Sequence, residues 1–322
     1  MNASPPVTAP PRPPVRDRLV PDGVRRAVAV VCAVLLAVSV FVLWWAFVDT
    51  IRGQGVDELA RRGATYGQGQ LWQVASPVLD VVSVSFVAVG IATAMAVALL
   101  RRRWGLAVQV AVLVAGANLT TEVLKHVVLD RPHLLAGWTG ENGLPSGHTT
   151  VAASVSAALV LASSRRVRPF VALAGACYTA LTGVSTLVGQ WHRPSDVVAA
   201  LCVVGAWSCA VCAVTPRSSL DVVELDGTGR VPRAVGSYVT AVVLLGAAGL
   251  AGAVALGALH DVLEAVEDML GALWAIRRSV QVTAYIGGAF GVVATTCLVF
   301  TVILAVRQLT AVSRRTSRRT TG

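Results

Sequence analysis

The chain alternates long apolar runs with short polar turns. Windows of roughly 20 mainly apolar residues, the length that crosses a bilayer core, fall at 26–48, 77–100, 105–124, 147–163, 170–189, 196–214, 236–259 and 284–306. The pattern predicts an all-α, polytopic membrane helix bundle of about eight transmembrane helices. Six of them form a core block over 26–214, and a loop at 215–235 leads to a C-terminal hairpin of two helices over 236–306. The first window is too long for a secretory signal and ends in the aromatic stretch "FVLWWAFVDT", so it reads as a retained helix. Residues 1–25 are proline-rich without apolar periodicity and read as a disordered tail; 307–322 read as a basic tail. Segments 55–73 and 260–276 are part-amphipathic, which predicts a position in the outer membrane interface.

Composition agrees with lipid as the solvent. The chain is 55% hydrophobic and 14% charged, with mean hydropathy +0.69, whereas soluble domains are charged at nearly a quarter of their positions. All six cysteines fall within apolar windows, where neither disulfide nor zinc chemistry is expected. The net charge of +10 is concentrated in the N-terminal arginines, "RRRW" (101–104), "SSRRVRP" (163–169) and the terminal "RRTSRRTTG". The positive-inside rule puts both termini and these turns in the cytoplasm, in a cell membrane whose anionic lipids account for the charge without any nucleic-acid partner. Oligomeric state is not legible.

Polar residues then acquire positions. Ionisable groups at or within spans are costly and mark functional sites by default. They gather in "LKHVVLDRPHL" (124–134), "LPSGHT" (144–149) and "GQWHRPSDVV" (189–198), all at outward-facing helix ends. Ser146 suits an N-cap, and the free N–H groups of Gly147 and His148, together with the helix dipole, suit an anion. Gly147 leaves room for close approach to the backbone, while Lys125 and Arg131 supply positive charge and a donor fork for phosphate. Pro194 fits the first position of a helix, so His192 sits on the incoming turn and Asp196 in the first helical turn. A carboxylate four residues after a histidine fixes its tautomer and frees the other ring nitrogen for attack. His148, on another helix end, is placed to protonate a leaving oxygen. This set fits a two-step phosphoryl transfer without metal.

The ordered combination of "LKHVVLDRP", "LPSGHT" and "HRPSD", over approximately 77–214, resembles the type 2 phosphatidic acid phosphatase (PAP2) family, whose active site is shared with vanadium-dependent haloperoxidases. The resemblance implies His192 as nucleophile forming a phosphohistidine, Asp196 orienting it and His148 as general acid. It also implies Lys125, Arg131, Ser146 and Gly147 on the phosphoryl oxygens, with no metal or cofactor. Two positions depart from the family pattern. Lys125 and Arg131 are six apart where the family spaces them seven, and Pro132 places Arg131 on an extended segment instead of a helix face. The family's second phosphate-binding arginine, six residues before the nucleophile, is Thr186 here, which makes Arg193 the candidate substitute.

The function expected is a membrane lipid phosphatase acting at the outer face on a phosphomonoester or pyrophosphate, such as polyprenyl pyrophosphate, phosphatidic acid or phosphatidylglycerol phosphate. A phosphotransferase using the same histidine, or a catalytically impaired lipid-phosphate-binding protein, are the alternatives. A transporter is disfavoured because the ionisable residues lie at helix ends and not at the midplane. An embedded chain likewise disfavours a haloperoxidase.

Overall fold

The computed structural model describes residues 22–81, 89, 92–96, 100, 102–135, 141–216, 219–224, 234–268 and 277–314. Helix α1 spans Asp22–Phe47, α2 Ile51–Gly63 and α3 Gln68–Val81, with a short 3-10 turn at Ala64–Tyr66 between the last two. α4 (Trp104–Val123) runs into a π turn at Leu124–Val128. α5 (Gly147–Ala162), α6 (Arg168–Val188) and α7 (Pro194–Ala213) complete the sequence-defined core, and α8 (Val235–Asp268) with α9 (Arg278–Gln308) forms the hairpin. Seven of the eight apolar windows are thus helical. The second, 77–100, begins inside α3 and otherwise falls mostly outside the described residues.

Among the described residues six helices are long and apolar enough to cross a membrane, and α5, at 16 residues, is a shorter apolar one. The protein is a multi-pass helical membrane protein. Burial separates its helices into two kinds. α5 and α7 are enclosed almost all round by α4, α6, α1 and α9, and their small residues, such as Ala153, Ala157, Ala158, Ala199 and Ala200, let neighbouring backbones approach. Polar side chains fasten these contacts: Asn118 donates to Ser154 at 3.2 Å, Thr121 and Thr150 share a hydrogen bond of 2.9 Å, and Trp207 donates to Thr120 at 3.0 Å. α1 and α8 instead turn Val31, Val34, Leu35, Leu250 and Leu256 outward, as helices facing lipid do.

Three features differ from the sequence reading. An interfacial position is predicted for 55–73, but α2 is packed into the bundle against α9, with Gln54, Asp57, Glu58 and Leu59 buried. Its polar groups find partners inside the protein, which outweighs what an exposed interface offers them. The segment 260–276 is not a separate element at its start, since 260–268 simply prolongs α8. Two four-residue strands also appear in the loop and tail, β1 (Asp221–Glu224) and β2 (Ala311–Arg314), paired in parallel with Asp221 opposite Ala311.

Candidate functional site

The three polar motifs meet at one end of the bundle. α5 starts at Gly147 because Ser146, in extended conformation, caps it: its side chain accepts from the amide of Thr149 at 3.4 Å. α7 starts at Pro194 because proline at the first helical position gives up no needed N–H. Asp196 accepts the amide of Arg193 at 3.0 Å through Oδ2, closing the turn ahead of it. The same Oδ2 lies 3.3 Å from His192 Nδ1. His192 is buried and Asp196 wholly so, which leaves the Nε2 side of the ring as the free edge of the pair.

His148, exposed in the first turn of α5, sets its ring 6.2 Å from that of His192, at an edge-on angle. Trp191 lies against His148 with ring centroids 5.3 Å apart, and Trp72 against Trp191 at 5.9 Å. Lys125, in the π turn, is close enough to act electrostatically on His148. Arg131 is buried on the irregular segment that follows Leu129, as Pro132 requires, within electrostatic reach of Arg193 and Asp57. A Cβ built on Gly147 would meet only Glu122 Oε1, at 3.8 Å, so the helix N-terminus is open to a ligand.

Backbone links hold the motifs in register. The amide of Ser146 donates to Asp196 O at 2.9 Å, joining the second motif to the third. Asn142 donates to Leu129 O at 2.7 Å and accepts from the amide of Leu144 at 3.1 Å, joining the first to the second. Gly143 passes so close to the third motif that a Cβ there would stand 2.4 Å from Asp196 Oδ2.

Thr186, at the position of the family's arginine, is fully buried and turns its hydroxyl to Gly183 O at 2.7 Å. Its carbonyl accepts the amides of Trp191 and His192, at 3.1 and 3.4 Å, so residue 186 positions the histidine turn through its backbone. Arg193 is buried beside Arg131, with Nη2 3.9 Å from Glu58 Oε2.

Sequence reasoning missed α2, which braces the first and third motifs from one side. Gln54 donates to Pro132 O at 2.6 Å, Arg61 reaches Gln190 at 3.5 Å, and Gln190 donates to Thr65 at 3.0 Å. Asp57 accepts from the Ser195 hydroxyl and, at 3.4 Å, from its amide. Burial pushes Glu58 upward, but hydrogen bonds from Arg61 and Arg62 and the charges of Arg61 and Arg193 outweigh it and hold the carboxyl below its usual range. Asp57 goes the other way. Burial, and then the Asp196 carboxylate, push it up to about 7 against the pull of Ser195, Arg193 and Arg131.

A carboxyl that holds its proton more tightly folded than unfolded favours folding at low pH. That contribution is complete below the ordinary value of 3.8 and is lost as pH rises through about 7. Asp57→Asn is therefore expected to flatten the rise of Tm on acidification between about 7 and about 4 in detergent-solubilised protein. A slope equal to that of the wild type contradicts this assignment.

A membrane helix bundle with a histidine–carboxylate pair, a second histidine and basic residues at one end defines a class of membrane protein. Comparison adds a family to that description: residues 106–219 match the family model described as the PAP2 superfamily, about a third of the chain. The match begins inside α4, so α1 to α3 and the α8–α9 hairpin lie outside it. No curated protein and no solved structure matches the chain.

Proposed function

We propose that the protein is an integral membrane lipid phosphatase that hydrolyses a phosphomonoester or pyrophosphate of a lipid through a phosphohistidine on His192. The match of residues 106–219 to the PAP2 superfamily model and the membrane-spanning helices support the phosphatase class. The observation that carries the finer reading is the buried pair of His192 Nδ1 and Asp196 Oδ2 at 3.3 Å with the His148 ring facing it at 6.2 Å. Nδ1 is engaged by the carboxylate, so Nε2 is the attacking atom. It forms an N–P bond as the bond from phosphorus to the leaving oxygen breaks, and His148 gives that oxygen its proton. Water then attacks phosphorus while His148 takes the water's proton, and the N–P bond breaks to release phosphate. Lys125, Arg131, Arg193, Ser146 and the Gly147 and His148 amides hold the phosphoryl oxygens, whose charge peaks in the transition state.

The arginine-rich turns support an orientation with both termini in the cytoplasm of a cell membrane and the site on the extracytoplasmic side. Residues 26–214 form the working core, and 236–306 the added hairpin. No metal or cofactor takes part in this reading. Phosphate release by purified protein from a panel of lipid phosphates, with chelator present, tests it. Release unaffected by chelator supports the reading. A folded protein that binds these lipids without releasing phosphate favours the second reading, a lipid-phosphate-binding protein, for which Thr186 and its inward-turned hydroxyl speak.

Gly143→Ala gives a separate check. The new methyl group has no space beside Asp196, so either the loop or the carboxylate shifts. A displacement of about 1 Å in a catalytic array costs on the order of 10²-fold. The kcat of the variant is expected to fall by about that factor while KM changes little; wild-type kcat would show that the loop absorbs the methyl without moving the pair.

A further inference from the structure

At the end of the bundle opposite the histidines, one carboxylate faces four guanidinium groups. Asp221, the first residue of β1, accepts from Arg168 at 2.7 Å, from Arg103 at 3.0 Å and from Arg307 at 3.3 Å. Arg165 is within electrostatic reach of Asp221 and Arg307. Carbonyls at the end of α5 take up some of the remaining donors. Val160 O and Ser163 O accept from Arg168, and Leu161 O accepts from Arg307. A helix C-terminus offers only about half a negative charge, so the cluster keeps a positive excess.

Two donors are left over. Arg168 is wholly buried, yet its Nη1 has no hydrogen-bond partner among the described residues, and neither has the solvent-shielded Nη1 of Arg165. Burying an unmatched charged donor is costly, so nitrogens of this kind mark the place of an anion. A second feature lies at the same end of the bundle. On the turn of α9 that carries Arg307, Leu304, Ala305 and Gln308 face Val235, Tyr238 and Ala241 of α8 across a crevice of about 680 Å³. Its lining is mainly aliphatic and aromatic, with Ser237 and Gln308, bonded to each other, as the polar members.

We infer that this end of the protein binds an anionic phospholipid of the leaflet opposite the histidine site, with the phosphodiester at the part-exposed Arg165, on the edge of the cluster that the buried Arg168 keeps positive, and an acyl chain in the crevice between α8 and α9. Arginine forks match phosphate oxygens in pairs, and basic pockets between helices at the arginine-rich face of a membrane suit lipid headgroups. A diester here is a bound group and not a substrate, since it lies a full helix length from His192. Inorganic phosphate would answer the charge but would leave the apolar crevice without a role, and this favours the lipid.

The test uses the full chain in detergent, titrated with phosphatidylglycerol, phosphatidylcholine or inorganic phosphate and followed by Tm. Phosphatidylglycerol is expected to raise Tm saturably, with phosphatidylcholine and phosphate giving little. Arg165→Gln is expected to weaken the apparent affinity about tenfold, the loss of one charged hydrogen bond. Arg165→Lys, which keeps the charge while removing the fork, is the second variant and is expected to weaken binding in the same direction. Lys125→Ala, at the other end, is expected to leave the affinity unchanged. Equal effects from phosphatidylcholine, a full effect from phosphate alone, unchanged affinity in the arginine variants, or loss in Lys125→Ala would each overturn the inference. None of these outcomes depends on phosphate release, so the proposed catalytic activity stands or falls separately.

Discussion

His192→Ala is expected to eliminate phosphate release, lowering kcat by about 10⁴-fold or more, the scale seen when a covalent nucleophile is removed. The size follows from the role proposed for the side chain. Without Nε2 no N–P bond forms, and water would have to attack a lipid phosphate directly with only the electrostatic part of the site to help it. Binding should survive, because Lys125, Arg131 and the α5 N-terminus are untouched. The variant is thus expected to retain lipid phosphate at close to wild-type affinity while releasing nothing. His192 is buried in the turn before α7, so the fold of the variant is checked by its Tm. A folded variant with activity within tenfold of wild type would remove His192 from the mechanism.

His148→Ala is expected to cost about 10²- to 10⁴-fold, the usual contribution of a positioned general acid. The cost depends on the substrate in a way that separates chemistry from structure. A lipid alkoxide is a poor leaving group and needs the proton, whereas a nitrophenolate departs without it. With an aryl phosphate bearing a good leaving group, the variant should therefore recover most of its first-step rate, with the second step becoming limiting. A burst of nitrophenolate followed by slow turnover is the expected trace. An equal loss for both substrates and no burst would mean that His148 holds the site together instead of moving a proton.

The fold was largely legible because a bilayer leaves few choices. Long apolar windows without an internal break must be helices, and the structure places α1, α4, α6, α7, α8 and α9 on them. Ser146 and Pro194 also announced where α5 and α7 begin, since caps and first-turn prolines are local rules. His148, His192 and Asp196 were visible as candidates because polar residues at the mouth of a span are costly enough to need a reason. What stayed hidden depends on distant partners. Asp57 looks like one charge of an amphipathic surface helix until it meets Ser195, 138 positions away. Asp221 looks like a loop residue until Arg168 and Arg307, 53 and 86 positions away, converge on it. No periodicity reports such pairings. Gly143 lies between the two kinds. It borders the "LPSGHT" motif, but only the approach of Asp196 shows why a side chain is excluded there.

The role of α2 is the most consequential part that lay out of sight. It sets Asp57, Glu58 and Arg61 against Ser195, Arg193 and Gln190, all on or beside the turn that carries His192. The superfamily match starts only at residue 106, so this brace comes from a segment outside the matched domain. The position of Arg193 is tied to the same brace, because Glu58 holds its guanidinium on the α2 side.

The central claim is a covalent phosphoryl group on His192 Nε2. Rapid quenching of the purified protein during turnover, at alkaline pH to preserve an acid-labile N–P bond, followed by peptide mass spectrometry, tests it most directly. The account predicts a phosphoryl adduct on His192 that is absent in His192→Ala and builds up in His148→Ala when an aryl phosphate is the substrate. Steady phosphate release with no adduct on His192 under either condition, or an adduct on another residue, would contradict it.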